Sequence, residues 1–415
     1  MIDFVLGLTW SDVPPDIRSR IASLLRDFIA VSLAGRETPT AEIAAHHAAT
    51  EHAGDDATLL FDGGRASAPG AAFANGVLAN ALDFDDGHRL VKGHPGANVV
   101  PAALAVAELT GATPQELLTS VAVGYEIAIR AGVDLHRRST EYHASGAWGA
   151  LGAAAAAAHL LEFDEREARD SLGLAEYHAP IAPVLRSVSD PAMTKDACGW
   201  GAFIGVSSAL LARNGFTASS SELLERGSAI DVGERWCVGD VYVKKFPCCR
   251  WSHPAVEASL TLRAETDLRP GEIVRVIVRT FAEAAVIARR SPMTTEEAQY
   301  SLVWPVAVAL AHGDFSVEHV LEPGLADPLA RDLLSRVEIE VDPTFSSAFP
   351  ARRLATVTVE KSEGLSSSSS PTEPPGESDD PHWAEIVEAK FRRFAAHAEN
   401  DLPRVARAYC EGGRS

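Results

Sequence analysis

Asp83, Asp85, Asp86, His88 and His94 fall within one Gly/Pro-broken stretch, NALDFDDGHRLVKGHPGANVVP, spanning residues 80–101. Carboxylates and imidazoles so close in sequence suit acid-base chemistry, provided that something fixes their geometry. Ala-rich segments on both sides, Ala68–Ala81 and Ala97–Leu109, have the composition of packed helices and would frame the loop at each end. The same residue types also cap helices, and they could hold a divalent ion. Neither HExxH nor an EF-hand pattern is present, so no metal is expected.

Three further stretches carry candidate groups. His143 lies in EYHASGAWG, at the expected N-terminal side of an alanine helix, where free N–H groups favour anions. Lys195 lies in DPAMTKDACGWG, just ahead of another helix. The run Lys244-Lys245-Phe246-Pro247-Cys248-Cys249-Arg250-Trp251-Ser252-His253 sets three fixed cations, two thiols and an imidazole around a turn, a composition suited to gripping carboxylates. Vicinal cysteines seldom both ligate one zinc, and no second Cys/His pair has finger spacing. GxGxxG after a strand, a Walker lysine and GxSxG are all absent, which removes the main supports for nucleotide and serine-hydrolase readings.

The elements that must position these groups read as follows. Residues 14–34, 40–53, 68–81, 97–109, 113–135, 146–161, 165–175 and 200–214 have helical spacing or composition, with one small hairpin around residues 58–64. The alanine run 153–158 lets backbones approach closely, so its helix should be central and enclosed. From Pro270 the pattern changes. Residues 272–280, 336–341 and 354–360 alternate on a period of two, with helices expected over 294–311 and 327–334. The fold class is therefore mainly α with a second α+β domain. A helical domain covers 1–264, completed by a C-terminal helix 383–415, and an α+β domain covers 265–365. The Ser/Pro-rich acidic segment 366–382 should be flexible.

The chain has 415 residues, 46% of them hydrophobic, enough for a sizeable core. A formal net charge of −20 argues against nucleic acid as partner, while leaving room for a small anionic carboxylate bound in a local basic cleft. The N-terminus lacks a basic n-region before an apolar core, and no apolar run reaches spanning length, so no membrane association and a cytoplasmic location are expected. Five cysteines without a CxxC pair fit a reducing compartment.

Taken together, NALDFDDGH, GHPGANVVPAALAVAE, GYEIAIRAG, YHASGAWGALGAAAAAAHLL, AMTKDACGWGA, KKFPCCRWSHPAVEA and AQYSLVWPVAVAL resemble the MmgE/PrpD family, in family order along nearly the whole chain. That resemblance implies a helical domain with an α+β lid, a homodimer, and a cofactor-independent, metal-independent active site between the two domains. It places Asp83, His94, His143, Lys195 and Lys244 at the site. The resemblance also shows departures: Cys249 stands where decarboxylases of the family have a histidine, Trp304 where they have a lid-side tyrosine, and Gly87 where they have a threonine.

The implied chemistry is proton abstraction from a small di- or tricarboxylate. His94 and His143 would be the acid-base pair. Lys195, Lys244 and Arg250 would hold carboxylates, helped by Lys245, Cys249 and His253, and Asp83 would orient His94 or Lys195. A lyase of the 2-methylcitrate dehydratase type is expected. An epimerase of the iminodisuccinate type, a cis-aconitate-type decarboxylase and a non-catalytic carboxylate binder are the alternatives.

Overall fold

The computed structural model describes residues 1–225, 231–266, 268–287, 291–362, 364–395 and 402–411. Its first part is a bundle of helices: Pro15–Gly35, Pro39–Glu51, Ala68–Asn80, Gly96–Thr110, Pro114–Arg138, Gly146–Leu160, Glu165–His178 and Cys198–Arg213. Starts are written locally. Thr113 caps the long helix with a reciprocal Glu116 box, and Asp164 and Glu167 do the same for Glu165–His178. The alanine helix is buried along its length except at His159, as its small side chains require.

Glycine permits the closest crossings. A Cβ at Gly149 would sit 2.3 Å from Asn98, one at Gly201 2.1 Å from Asn98, and one at Gly146 2.5 Å from the Ala197 carbonyl. The N-terminal ends of Gly96–Thr110, Gly146–Leu160 and Cys198–Arg213 therefore meet around Asn98.

The α+β unit holds a four-stranded sheet, ordered Val337–Val341, Ile273–Thr280, Ala355–Lys361 and Ser366–Ser368, in which the first pair is parallel and the others antiparallel. Val276, Val278, Val337, Val357 and Val359 pack inward. The opposite face carries ion pairs, Arg275 to Glu338 at 2.7 Å and Arg279 to Glu340 at 2.8 Å, so one face is covered and the other solvated. The helix expected over 294–311 is broken at Tyr300–Leu302 into Thr295–Gln299 and Val303–His312.

Two hydrophobic cores result. One unites the helical bundle from Val5 to Val243 with Trp383, Val387 and Phe391 of the returning helix Trp383–Phe394. The other unites Phe246 to Val359 with Val31, Ala34, Leu82 and Phe84. The C-terminal helix expected over 383–415 ends at Phe394, and a second helix spans Arg404–Glu411; residues 396–401 and 412–415 of that expectation lie outside the described residues. No helix among the described residues is long and apolar enough to cross a membrane.

The expectation of a flexible 366–382 segment is corrected. Ser366–Ser368 forms the edge strand, Thr372 bridges Ala355, and the Gly376 carbonyl accepts from Val243 N at 2.9 Å. Arg250 donates to the Pro375 carbonyl at 2.6 Å and pairs with Glu377 at 2.9 Å. A polar composition predicts disorder only when nothing supplies partners, and here a buried guanidinium supplies them.

Candidate active site

The loop after Ala68–Asn80 alternates. Leu82 and Phe84 enter the α+β core, while Asp83 and Asp85 turn toward His94. Asp83 has φ +50°, a left-handed conformation rare for a non-glycine residue. Lys92 (+50°), Lys195 (+40°) and Ala197 (+54°) share it, so four of the six such residues among the described ones lie around this site. Backbone strain concentrates where surrounding structure must hold a functional geometry. Asp86 anchors the loop, accepting Tyr125 Oη at 2.5 Å and Gly96 N at 3.0 Å. Gly96 is obligatory there, since a Cβ would lie 2.4 Å from that hydroxyl.

His94 is the centre. Its Nδ1 lies 3.0 Å from Asp85 Oδ2, and its Nε2 lies 3.3 Å from Asp83 Oδ1 and 3.8 Å from Asp196 Oδ2. Its backbone N–H donates to Ser145 Oγ at 2.9 Å, and Ser145 Oγ in turn donates to Asp196 at 3.2 Å. Lys244 Nζ lies 2.8 Å from Asp83 Oδ1 and donates to the Asp83 carbonyl at 2.8 Å. Lys195 Nζ donates to Gln299 Oε1 and, at 3.4 Å, to the Ala81 carbonyl. Tyr300 Oη donates to Asp196 Oδ2 at 3.1 Å. Tyr300 and the six charged or titrating groups around it are all nearly inaccessible, three carboxylates facing one imidazole and two ammonium groups.

The electrostatics follow from that balance. Burial opposes a charged imidazole, but Asp85, reinforced by Asp196, holds His94 protonated with a pKa raised to about 9. Against its own burial, Asp85 is drawn down to about 2 by His94 and Lys244. Burial lowers Lys195, partly offset by Asp83 and Asp85, whereas for Lys244 burial is outweighed by Asp83, Tyr242 and Asp85 together, which raise it. Burial and the Asp83 charge push the Cys249 thiol to about 12, so it stays neutral beside the cluster.

Asp83, Asp85 and His94 bring ligand-type atoms within 4.8 Å of one another. A divalent ion there would have to displace Lys244 from Asp83 and strip the proton from His94. The donor set suits proton transfer better than a metal.

Of the residues expected from sequence, Asp83, His94, Lys195 and Lys244 come together, with Cys249 beside them. His143 belongs to a neighbouring group. Its ring meets Ser139 Oγ at 3.1 Å and stacks over His136 with centroids 6.3 Å apart, rather than contacting His94.

Three expectations are corrected. Lys245 points to the exterior and pairs with Glu257 at 2.9 Å, because successive residues of an extended segment face opposite ways. Arg250 is consumed by Glu377 and the Pro374 and Pro375 carbonyls. His253 is buried against the Cys248 carbonyl and Arg250, and burial keeps its ring neutral.

The lid-side aromatic expectation is corrected as well. Trp304 is a core residue donating to the His319 carbonyl, and Tyr300, four residues earlier, reaches the cluster. Gly87 has a local reason: a Cβ there would meet the Tyr242 ring at 2.4 Å, across the strand pair Gly87–His88 and Val241–Tyr242. Asp196, Gln299, Tyr300 and Ser145 were not singled out from sequence. Asp196 and Ser145 sit just ahead of helices, a signal available in the pattern.

The MmgE/PrpD N-terminal domain matches residues 1–232, and the MmgE/PrpD C-terminal domain matches residues 246–406. Cis-aconitate decarboxylase of Homo sapiens is 29% identical over 300 residues, covering 66% of this chain and 61% of the relative. The Mus musculus cis-aconitate decarboxylase is 26% identical over 311 residues, covering 67% and 62%. The cis-aconitate decarboxylase-like protein oryM of Aspergillus oryzae is 23% identical over 367 residues, covering 79% and 76%. The matches thus span about six tenths of the length of the human and mouse relatives. With both domains matched in order over most of its length, the chain belongs to the MmgE/PrpD family.

Proposed function

We propose that this chain is a cofactor-independent lyase of the 2-methylcitrate dehydratase type, eliminating water from a small hydroxylated di- or tricarboxylate. The observation that carries the reading is a buried His94 held as imidazolium between Asp85 and Asp83, beside two lysines. A cation poised at neutral pH is a general acid for a leaving hydroxyl. Lys195, whose nitrogen is met by a neutral amide and a carbonyl, stabilises the carboxylate that gains charge as the adjacent carbon loses its proton. His143 is the base in this reading. Lys244 fixes Asp83 and through it the ring of His94.

A second reading is decarboxylation of a cis-aconitate-like acid, favoured by the names of the relatives and by Tyr300 on Asp196. His94 would then protonate the carbanion carbon. Product analysis by NMR after incubation with 2-methylcitrate, citrate and cis-aconitate in deuterium oxide separates the readings. Dehydration gives an unsaturated acid without loss of carbon, and decarboxylation gives carbon dioxide. Label washed into unchanged substrate, with neither product, would replace both by epimerisation.

A further inference from the structure

Two residues before His94, Lys92 belongs to a group of which the chemistry above uses only His143. Its ammonium lies 3.1 Å from the Tyr142 ring centroid and 5.4 Å from that of Phe349. Among the described residues no carboxylate lies within ion-pair distance of it. A half-buried ammonium satisfied only by aromatic faces is short of an anion. The surroundings share the deficit. Arg353 is buried and shares the carboxylate of Glu377 with Arg250, so two guanidinium groups divide one negative charge. His136 and His143 each keep a buried Nδ1 without a partner.

The His143 N–H donates to His136 Nε2 at 3.1 Å, which leaves the proton of neutral His136 on the unpartnered Nδ1. The group is built from both halves of the molecule: Lys92 from the site loop, His136 from the last turn of helix Pro114–Arg138, Tyr142 and His143 from the turn that leads to Ser145, and Phe349 and Arg353 from the α+β unit. Ser145 in turn binds the backbone N–H of His94. A locally positive patch, in a chain of net charge −20, thus adjoins the proton donor.

We propose that Lys92 is a specificity-determining residue that binds the second carboxylate of the substrate, beside Arg353 and the His136–His143 pair. This rests on the carboxylate reading of the His94 site and adds which end of the substrate faces which group. The left-handed backbone at Lys92 is the strain accepted to aim its side chain inward. Burial and Arg353, opposed only weakly by the more distant Glu283 charge, lower its pKa to about 8, so a bound carboxylate would also draw a proton onto it.

The test is calorimetric binding of tricarballylate, glutarate and butyrate to wild type, Lys92→Met, Lys92→Arg and the exposed control Arg169→Met, followed by turnover. Lys92→Met should weaken tricarballylate and glutarate by about tenfold or more and leave butyrate unchanged, with Lys92→Arg recovering most of the loss. In turnover the cost should appear in KM more than in kcat. If Lys92→Met fails to fold, Lys92→Gln carries the same comparison. Wild-type affinity for the polycarboxylates in the folded neutral variant overturns the proposal. If wild type binds them in a Lys92-dependent way but turns over none of 2-methylcitrate, citrate and cis-aconitate, it is the lyase reading that fails.

Discussion

His94 and Asp85 set the pH behaviour of the site. The folded pKa of His94, about 9, lies above the unfolded value of about 6.5, so its contribution to stability is fully present below about 6.5 and is lost as pH rises through about 9. Asp85 runs the other way: its contribution is present above about 3.8 and is lost as pH falls through about 2. A proton donor with that pKa predicts a rate profile whose basic limb falls near pH 9. In Asp85→Asn the limb should move toward neutrality by about one unit or more, because the main charge holding the proton is gone. His94→Ala should lower kcat by about a hundredfold or more with the thermal transition retained. A basic limb unmoved in Asp85→Asn would remove His94 from the role of acid.

At the scale of elements, the site depends on three helix N-termini meeting around Asn98. Gly149 and Gly201 are the residues that let them do so. Gly149→Ala places a methyl group against Asn98 where a Cβ has 2.3 Å, and the Asn98 side chain cannot withdraw without giving up its 2.8 Å bond to the His94 carbonyl. Overpacking of this kind costs about 1–3 kcal/mol, a loss of several degrees in Tm, and activity should fall further than stability alone explains. A variant with wild-type Tm and wild-type kcat would show that the crossing tolerates separation. The α+β unit enters through one short helix: Gln299 meets Lys195 and Tyr300 meets Asp196. The break in the helix expected over 294–311 falls at those residues and is what brings them to the cluster.

For the molecule as a whole, the chain's return matters most. Trp383, Val387 and Phe391 complete the first core, Arg26 pairs with Glu388 at 2.9 Å, and Lys390 reaches both Asp27 at 2.6 Å and the Phe84 carbonyl at 3.0 Å. Phe84 sits between two site carboxylates, so the last part of the sequence braces the loop that starts the chemistry. Ending the chain after His382 removes three apolar side chains from the first core, whose burial is worth about 1.5–3 kcal/mol each, and leaves Asp27 buried without its cation. The shortened protein should lose its cooperative thermal transition or melt at least about 10 °C lower. A transition matching the full chain would mean that the two cores stand without the returning helix.

Helical periodicity and Ala/Gly density made the bundle legible, and strict alternation over 272–280, 336–341 and 354–360 made the sheet legible, because both patterns record which side of an element is buried. The sequence also brought out Asp83, His94, Lys195 and Lys244, whose types and local frames are written nearby. It was silent on charge pairing between distant segments. Whether a cation serves a ligand or a neighbour depends on what lies opposite it, and Arg250 and Lys245 differ from Lys244 only in facing Glu377 and Glu257 instead of Asp83. The same limit hid Asp196 and Tyr300, and it made an ordered strand look like a flexible tail. Local pattern determined the elements and the groups they carry; only tertiary packing, by setting which charges meet in the dry interior, decided that His94 is a cation.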